Sequence, residues 1–376
     1  MRMAAIVPAF FLTLLATVPV RPLEAAESEP GILPVPAATA EESLSPSDLP
    51  DLSDSDAWLH LDCDSPEPCA CRDYVSVCQH RSGVFLEGLL LRPGSTDLVY
   101  AVEHTGCDPA FSSPTGPVGV IAADFGGGVR GGITWAFDES SSVVATYTRF
   151  ETDVEGRLAA TPGHVLVSQV THPSQASCGS NSLASQASQS LEFQLVDLDY
   201  RQLLWGDCDA AINWLAGLRY AQLEQRFWGS QNTGVATGLT DVATDIDFDG
   251  LGLRFGLDGE RRNPNCGVLI YAKGFANLVA GEFKADYSQV SQFGATAVVA
   301  NHLEDYRLVS QLEAELGVGW QSDCGRHRLT VGYLASGWLN AVTTDAYVQS
   351  VRSGQQSDVG DSLSFSGLAV RLEVRH

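Results

Sequence analysis

The stretch from Val309 to Gln321 limits the possible folds more than any other part of the chain. From Gln311 onward its residues alternate between polar or glycine and apolar. The apolar set is Leu312, Ala314, Leu316, Val318 and Trp320. Such alternation is typical of a β-strand, because successive side chains point to opposite faces. A helix would place Leu312 and Glu315 on one face, so no apolar stripe would form. The stretch therefore predicts a strand with one apolar and one polar face.

The same alternation recurs from residue 83 to residue 376, between short stretches rich in Gly, Asp, Asn, Ser and Pro. Clear examples are Ile212–Tyr220, Leu251–Leu257, Arg328–Tyr333 and Ser364–Val374. We expect about ten to fourteen strands, most of them near the nine to eleven residues that a tilted membrane strand needs. The pattern predicts no helix longer than a turn or two.

Two all-β architectures fit this pattern. In a soluble sandwich the apolar faces meet another sheet, whereas in a membrane barrel they meet lipid. Here the polar faces are rich in glycine and single charged residues, and several apolar faces carry an aromatic side chain that is typical of an interfacial girdle. These residues are Trp135, Trp214, Tyr220, Trp320 and Tyr333. We therefore predict a single antiparallel transmembrane β-barrel over residues 83–376, preceded by a disordered acidic linker. An exported soluble or surface β-protein that binds ligands through its loops is the alternative.

The first 82 residues differ in composition from the rest. Arg2 followed by the apolar run Ala4–Val20 and the small residues Ala25 and Ala26 predicts a signal peptide over residues 1–26. A retained membrane anchor is the alternative for the apolar run. Residues 27–57 are acidic and rich in Pro and Ser without periodicity, which predicts a disordered linker.

Residues 58–82 contain four of the nine cysteines, Cys63, Cys69, Cys71 and Cys78. Their spacings do not form the repeated pair of close cysteines that zinc modules use, so disulfides are favoured over metal. Disulfides also fit an exported protein.

Composition limits the partners. The net charge of −24 excludes nucleic acid, because nothing would neutralise the phosphates. The expected partners are membrane lipid and small solutes, and the pattern leaves the oligomeric state open. No cofactor is expected.

Several segments resemble the Legionella-type pore-forming major outer membrane protein family. They are Phe248–Leu257, Gly267–Tyr271, Asn277–Gly281, Gly332–Tyr333 with Gly337–Asn340, and Gly126–Trp135. The resemblance extends over about residues 83–376. It implies a β-barrel in the outer membrane that acts as a passive pore for small polar solutes or ions, and not an enzyme.

Charged and amide residues on the polar faces are the candidate pore lining. They are Gln311, Glu313, Glu315, Arg328, Arg371, Glu373, Arg219 and Arg254. If the apolar faces meet lipid, these side chains point into the lumen. Opposed Arg and carboxylate groups there would select ions by charge. The alternative is that they pair with one another inside a narrow closed barrel.

A glycine motif and an acidic motif suggest other chemistry. Gly126, Gly128 and Gly131 match the dinucleotide fingerprint, but a strand and not a helix follows, so no helix N-terminus would hold a pyrophosphate. The alternating carboxylates Asp245, Asp247 and Asp249 are a weak calcium candidate, because Gly256 stands where a calcium loop needs Glu. We predict no metal site.

A barrel hydrolase is a third possibility, since a histidine with an acidic or hydroxyl partner at one rim could activate water. The first residues to test would be His104, His164 and His302. No H-E-x-x-H or G-x-S-x-G motif occurs.

Overall fold

The computed structural model describes residues 77–106, 112–175, 182–207, 209–232, 239–263, 266–291, 297–322, 324–355 and 359–376. The predicted signal peptide (1–26), acidic linker (27–57) and most of the Cys-rich segment (58–82) lie outside these residues. The predictions about them, including the disulfides, stay predictions.

Thirteen strands and one α-helix make up the described part of the chain. The strands are β1 (Gly83–Gly94), β2 (Leu98–His104), β3 (Pro114–Ile121), β4 (Gly126–Ala136), β5 (Ser141–Ala159), β6 (Val165–Ser168), β7 (Ala184–Gly206), β8 (Ala210–Asn232), β9 (Leu239–Arg262), β10 (Val268–Ser291), β11 (Ala297–Gln321), β12 (His327–Val342) and β13 (Gly360–Arg375). The helix is α1 (Thr344–Ser353). None of the described helices is long and apolar enough to cross a membrane.

Ten of the strands close into one antiparallel barrel, in the order β1-β13-β12-β11-β10-β9-β8-β7-β5-β4. The predicted fold class is thereby confirmed. The chain of cross-strand residue pairs that starts at Leu308 of β11 includes Tyr220 of β8 and Tyr147 of β5. After one full circuit of the ring it reaches β11 at Trp320 and not at Leu308. Because this chain of pairs does not close on itself, the strands are tilted against the barrel axis.

The two ends of the barrel differ. At the short-turn end, β4–β5, β7–β8, β9–β10 and β11–β12 are joined by short turns, and β1 begins and β13 ends there. At the long-loop end the connections are longer, and they carry α1 and the small sheet formed by β3, β2 and β6.

The small sheet corrects the strand assignment made from sequence. Within the predicted barrel segment, the sequence also predicts strands at Leu98–Glu103 and Val118–Phe125. The first lies on β2 and the beginning of the second lies on β3, and β2 and β3 pair with each other and not with the barrel. Tyr100 of β2 is buried where it meets Gly156 of β5, on the inward face of the barrel wall. The sheet therefore packs on the inside of the wall at the long-loop end.

The helix α1 is a second correction, since the pattern predicted no helix of this length. Thr343 caps its first turn by accepting from the Ala346 N–H, and Gly354 ends it in the left-handed region at φ 70°. Tyr347, Val348 and Val351 are buried. Three buried apolar positions in a ten-residue helix give too short a stripe to be distinguished from a strand by periodicity.

Strand length is the third correction. The strands β7 to β11 contain 23 to 25 residues, about twice what crossing a bilayer needs. They were predicted shorter because the apolar residues change faces part-way along each strand, which looks like the end of a strand.

Candidate functional site: the lumen of the barrel

The outward face of the barrel is apolar near the short-turn end and charged near the long-loop end. On β8, Ile212–Tyr220 presents apolar side chains outward, and Glu224 and Arg226 follow on the same face. The change occurs at one row of paired residues across six strands. The last apolar row is Tyr147, Val196, Tyr220, Leu251, Ala280 and Leu308, and the first polar row is Arg149, Gln194, Gln222, Asp249, Glu282 and Tyr306. We call the last apolar row the boundary row.

Between the short-turn end and the boundary row, the barrel carries a continuous apolar surface. Leu316 on β11 is 68% exposed, and Leu86 on β1, three strands away around the ring, is 61% exposed. A surface of this extent needs apolar surroundings, and a band of this kind is typical of membrane barrels. We call it the apolar belt.

The predicted girdle residues all point outward, but at different depths. Trp135, Trp214 and Trp320 lie close to the short-turn end of their strands, and Tyr220 lies at the boundary row. Tyr333 lies within the belt, opposite Leu316. The girdle role of these residues stays a prediction.

The inward face changes in the opposite sense. Inside the belt it is polar, whereas beyond the boundary row it is an apolar core that α1 joins. The first inward row of that core is Phe150, Phe193, Leu223, Phe248 and Phe283. Each long strand therefore has its apolar side toward lipid in one half and toward the barrel interior in the other.

Arg219 is the centre of a buried charge cluster inside the belt. Its Nε and NH2 donate to the two carboxylate oxygens of Asp197 at 2.6 and 2.7 Å. Its NH1 donates to Gln311 Oε1 at 2.9 Å and to Glu313 Oε1. The side chain is only 1% exposed, so the buried Asp197 and Glu313 carboxylates depend on this guanidinium for most of their compensation.

Arg254, on the neighbouring strand β9, extends the cluster. Its Nε donates to Asp199 Oδ2 at 3.2 Å, and its NH1 donates to Asn277 at 3.0 Å and to Glu313 at 3.4 Å. The guanidinium stacks on Phe275 at 3.7 Å. We call the residues around Arg219 and Arg254 the middle charge layer: Asp197, Asp199, Arg219, Arg254, Asn277, Gln311 and Glu313.

A glycine makes room for this layer. Gly217 lies directly opposite Asp199 on the neighbouring strand. A Cβ at Gly217 would overlap both the Asp199 carboxylate and the Leu198 carbonyl oxygen. The glycine therefore lets the carboxylate lie flat against the barrel wall.

Further ion pairs line the lumen beside and below the middle layer. Lys273 donates to Glu315 at 3.0 Å, and Arg130 donates to Glu87 at 2.9 Å. Nearer the short-turn end lies what we call the short-turn charge layer: Arg201, Asp258, Glu260, Arg328, Arg371, Glu373 and Arg375. A cavity of about 110 Å³ lies between these groups.

The eight residues predicted to line a pore all lie on the inward face. Gln311, Glu313, Arg219 and Arg254 belong to the middle layer, Glu315 lies beside it, and the other three belong to the short-turn layer. They pair with one another and with partners that the pattern did not single out, which are Arg130, Asp197, Asp199, Glu260, Lys273 and Arg375. Glu87 pairs with Arg130, and Arg201 pairs with Asp258, beside these groups. These partners also occupy the alternate, inward-facing positions of their strands. That alternation was the signal in the sequence that could have identified them.

The three candidate histidines each have a polar partner but lie apart. His164 Nδ1 meets Glu103 at 2.5 Å, His302 Nδ1 meets Asp286 at 2.8 Å, and His104 Nδ1 meets Ser112 at 3.2 Å. His302 is on the outward face, among the charged rows. No pair of the three shares a partner.

Glu103 fastens the turn before β6 to the small sheet. Its carboxylate accepts from His164 and from the Thr161 N–H and hydroxyl. These bonds, the one from His164 first, hold the pKa of Glu103 below its ordinary value. The stabilisation is therefore present above the ordinary Glu range and is lost as the pH falls through the lowered pKa.

We expect proteolysis in the 160–164 turn to accelerate as the pH falls from about 6 to below about 4. Limited digestion with an acid-tolerant protease and mass mapping of the first cuts would measure it. The Glu103→Gln variant should already be cleaved rapidly at neutral pH, and its rate of cleavage should lose most of the pH dependence. An unchanged pH profile in that variant would contradict the assignment.

The weak calcium candidates do not converge. Asp245, Asp247 and Asp249 lie at alternate outward positions of β9, all exposed. No group of three or more His, Cys, Asp or Glu side chains that could hold a metal ion occurs in the described residues. The glycine motif at Gly126 lies within β4, with strand and no helix after it.

The family model described as the Legionella pneumophila major outer membrane protein precursor matches residues 79–375. The chain belongs to this family. The Legionella major outer membrane protein family assigns this barrel to the cell outer membrane. The short-turn end is then periplasmic and the long-loop end extracellular, as is usual for such barrels.

Solved structures similar to this family member are also outer-membrane barrels. The outer membrane protease OmpT of Escherichia coli is 10% identical with a TM-score of 0.45, covering 82% of this chain and 100% of OmpT. A mutant of the monoaromatic hydrocarbon channel TodX is 8% identical with a TM-score of 0.28, covering 79% and 91%. A Pseudomonas aeruginosa FadL homologue is 6% identical with a TM-score of 0.20, covering 78% and 89%. No curated protein matches the chain. The similarity concerns the fold and not the function.

Proposed function

We propose that this outer-membrane barrel is a narrow, non-enzymatic pore for ions and small polar solutes, closed at its extracellular half in the conformation described. The observation that carries the proposal is the lumen inside the apolar belt, where ionisable side chains surround a cavity. Well-packed apolar side chains would stabilise a ten-stranded barrel as well as buried ion pairs do, or better. Retaining so many charges around a cavity therefore favours a role in holding water and ions.

The closure consists of apolar side chains beyond the boundary row. Phe193 lies 5.2 Å from Phe150, 4.8 Å from Phe365 and 6.0 Å from Trp338, measured between ring centroids. An apolar constriction of this kind stops ions because water does not fill it. Conduction then requires that this core loosen.

The helix α1 is the part of the closure that is not barrel wall. Tyr347 donates to the Ala285 carbonyl oxygen at 2.8 Å, and the Thr344 N–H donates to Gln225 Oε1 at 3.3 Å. Both bonds join α1 to barrel strands, the first to β10 and the second to β8. Release of α1 would widen the lumen without breaking any strand pairing.

Planar-bilayer recording of the purified full chain tests the pore. Wild type should show rare conductance steps, and Tyr347→Ala should raise the open probability by about tenfold or more, since losing about 1.4 kcal/mol of the helix contact suffices. Gln349→Ala is the matched control, because Gln349 is on the exposed side of the same helix. It should behave as wild type.

A non-conducting barrel that binds partners at its extracellular end is the second candidate. The apolar core that fills the extracellular half of the lumen favours it. It predicts no steps in wild type or Tyr347→Ala, although both remain folded in detergent. That result would overturn the pore proposal. Steps that are equally frequent in all three proteins would support a pore but not α1 as its closure.

A further inference from the structure

We propose that the periplasmic cavity of the lumen binds a small anion of the size of chloride or phosphate at Arg371. The starting observation is the charge balance of the short-turn layer. Its four guanidinium groups are Arg201, Arg328, Arg371 and Arg375, and its three carboxylates are Asp258, Glu260 and Glu373. All seven residues line the cavity. One positive charge in this layer therefore has no carboxylate of its own.

The pairing identifies that charge as Arg371. Arg201 pairs with Asp258 at 2.8 Å, Arg328 pairs with Glu260, and Arg375 donates to Glu373 at 2.7 Å. Arg371 has only a 3.6 Å contact from its Nε to the same Glu373. Since Arg375 already uses Glu373, Arg371 is the group left over.

The donors of Arg371 are unused. Its Nε is buried without a hydrogen-bond acceptor, and its guanidinium makes no side-chain hydrogen bond among the described residues. Glu87, directly opposite on β1, accepts instead from Arg130 at 2.9 Å. The Arg371 guanidinium stacks on Phe85 at 3.5 Å. This stacking fixes the plane of the guanidinium group, and the side chain stays 18% exposed beside the cavity.

These features fit an anion and limit its size. A fixed guanidinium with free donors is a strong partner for a carboxylate, phosphate or halide. The cavity of about 110 Å³ has room for a small anion with some water. The neighbouring carboxylates Asp258, Glu260 and Glu373 disfavour a larger polyanion.

The middle charge layer sets the depth of the site. It has three carboxylates, Asp197, Asp199 and Glu313, for the two guanidinium groups of Arg219 and Arg254. An anion that enters from the periplasm therefore meets an excess positive charge first and an excess negative charge deeper in the lumen. It is held in the short-turn layer, and this holds whether or not the barrel conducts.

Binding of inorganic phosphate to the full chain in detergent tests the site. Titration calorimetry and thermal unfolding should be followed at constant ionic strength, set with a bulky organic anion. Wild type should show saturable heat and a saturable rise in the unfolding midpoint. In Arg371→Gln the apparent affinity should fall at least about tenfold.

Two variants control for folding and charge. Arg226→Gln removes an exposed cation on the outward face of β8 and should bind phosphate as wild type does. Arg371→Lys keeps the charge without the fork, so it should bind with intermediate affinity even if Arg371→Gln does not fold. A rise that does not saturate, or equal affinity in wild type and both Arg371 variants, would overturn the proposal.

Discussion

Replacing Arg219 with methionine is expected to lower the free energy of unfolding by about 3–5 kcal/mol, because it leaves buried carboxylates without their cation. Asp197 would lose a bidentate partner at 2.6 and 2.7 Å, and Glu313 would keep only the longer contact with Arg254. Methionine fills much of the volume of the arginine side chain, so the loss of stability comes from the missing charge and not from a cavity. Urea unfolding in detergent, followed by tryptophan fluorescence, would measure it.

The matched control is Arg226→Met, which removes a guanidinium that is 64% exposed. It should change stability by less than about 1 kcal/mol. Adding Asp197→Asn and Glu313→Gln to Arg219→Met should recover much of the loss, since no buried charge then remains uncompensated. A loss below about 1 kcal/mol for Arg219→Met alone would mean that water reaches these carboxylates freely.

Trp338→Ala is expected to cost about 3–5 kcal/mol through the cavity it leaves in the apolar core. Trp338 is 1% exposed and packs against Phe193 and Phe365 at 6.0 and 6.1 Å. The same denaturant experiment measures it. Hydrogen exchange would locate the loss, which should fall in the extracellular half of the strands.

Trp228→Ala is the control for this substitution, because Trp228 is 39% exposed on the outward face of β8 beyond the boundary row. Its removal should cost less than about 1 kcal/mol. Equal losses in the two variants would show that the extracellular half has no tightly packed core, and the proposed closure of the lumen would then lack its physical basis.

The barrel and its two faces could be predicted because they depend on local alternation. Leu316 and Glu315 are assigned to opposite faces by their spacing alone, and the structure places them so. The partners of the lumen charges could not be predicted. Arg219 and Glu313 are 94 residues apart, and their contact depends on the strand order and tilt around the whole ring, which no single segment encodes.

The long strands show a different limit. On β8 the apolar residues from Ile212 to Tyr220 occupy even positions, except Leu215, and those from Ala221 to Phe227 occupy odd positions. If a strand is expected to keep its apolar residues on one face along its whole length, this shift looks like the end of the strand. Had continuity across a phase shift been allowed, the 23-residue strand and its two environments would have been visible in the sequence.

The boundary row also fixes how far the barrel rises out of the bilayer. Sinking by one row would bring Arg149, Asp249 and Glu282 to the edge of the hydrocarbon, at up to about 1 kcal/mol for each charge. Rising would bring Leu251 and Leu308 into water. The barrel is therefore matched to one hydrocarbon thickness, and a thicker or thinner membrane must deform around it because the protein cannot slide.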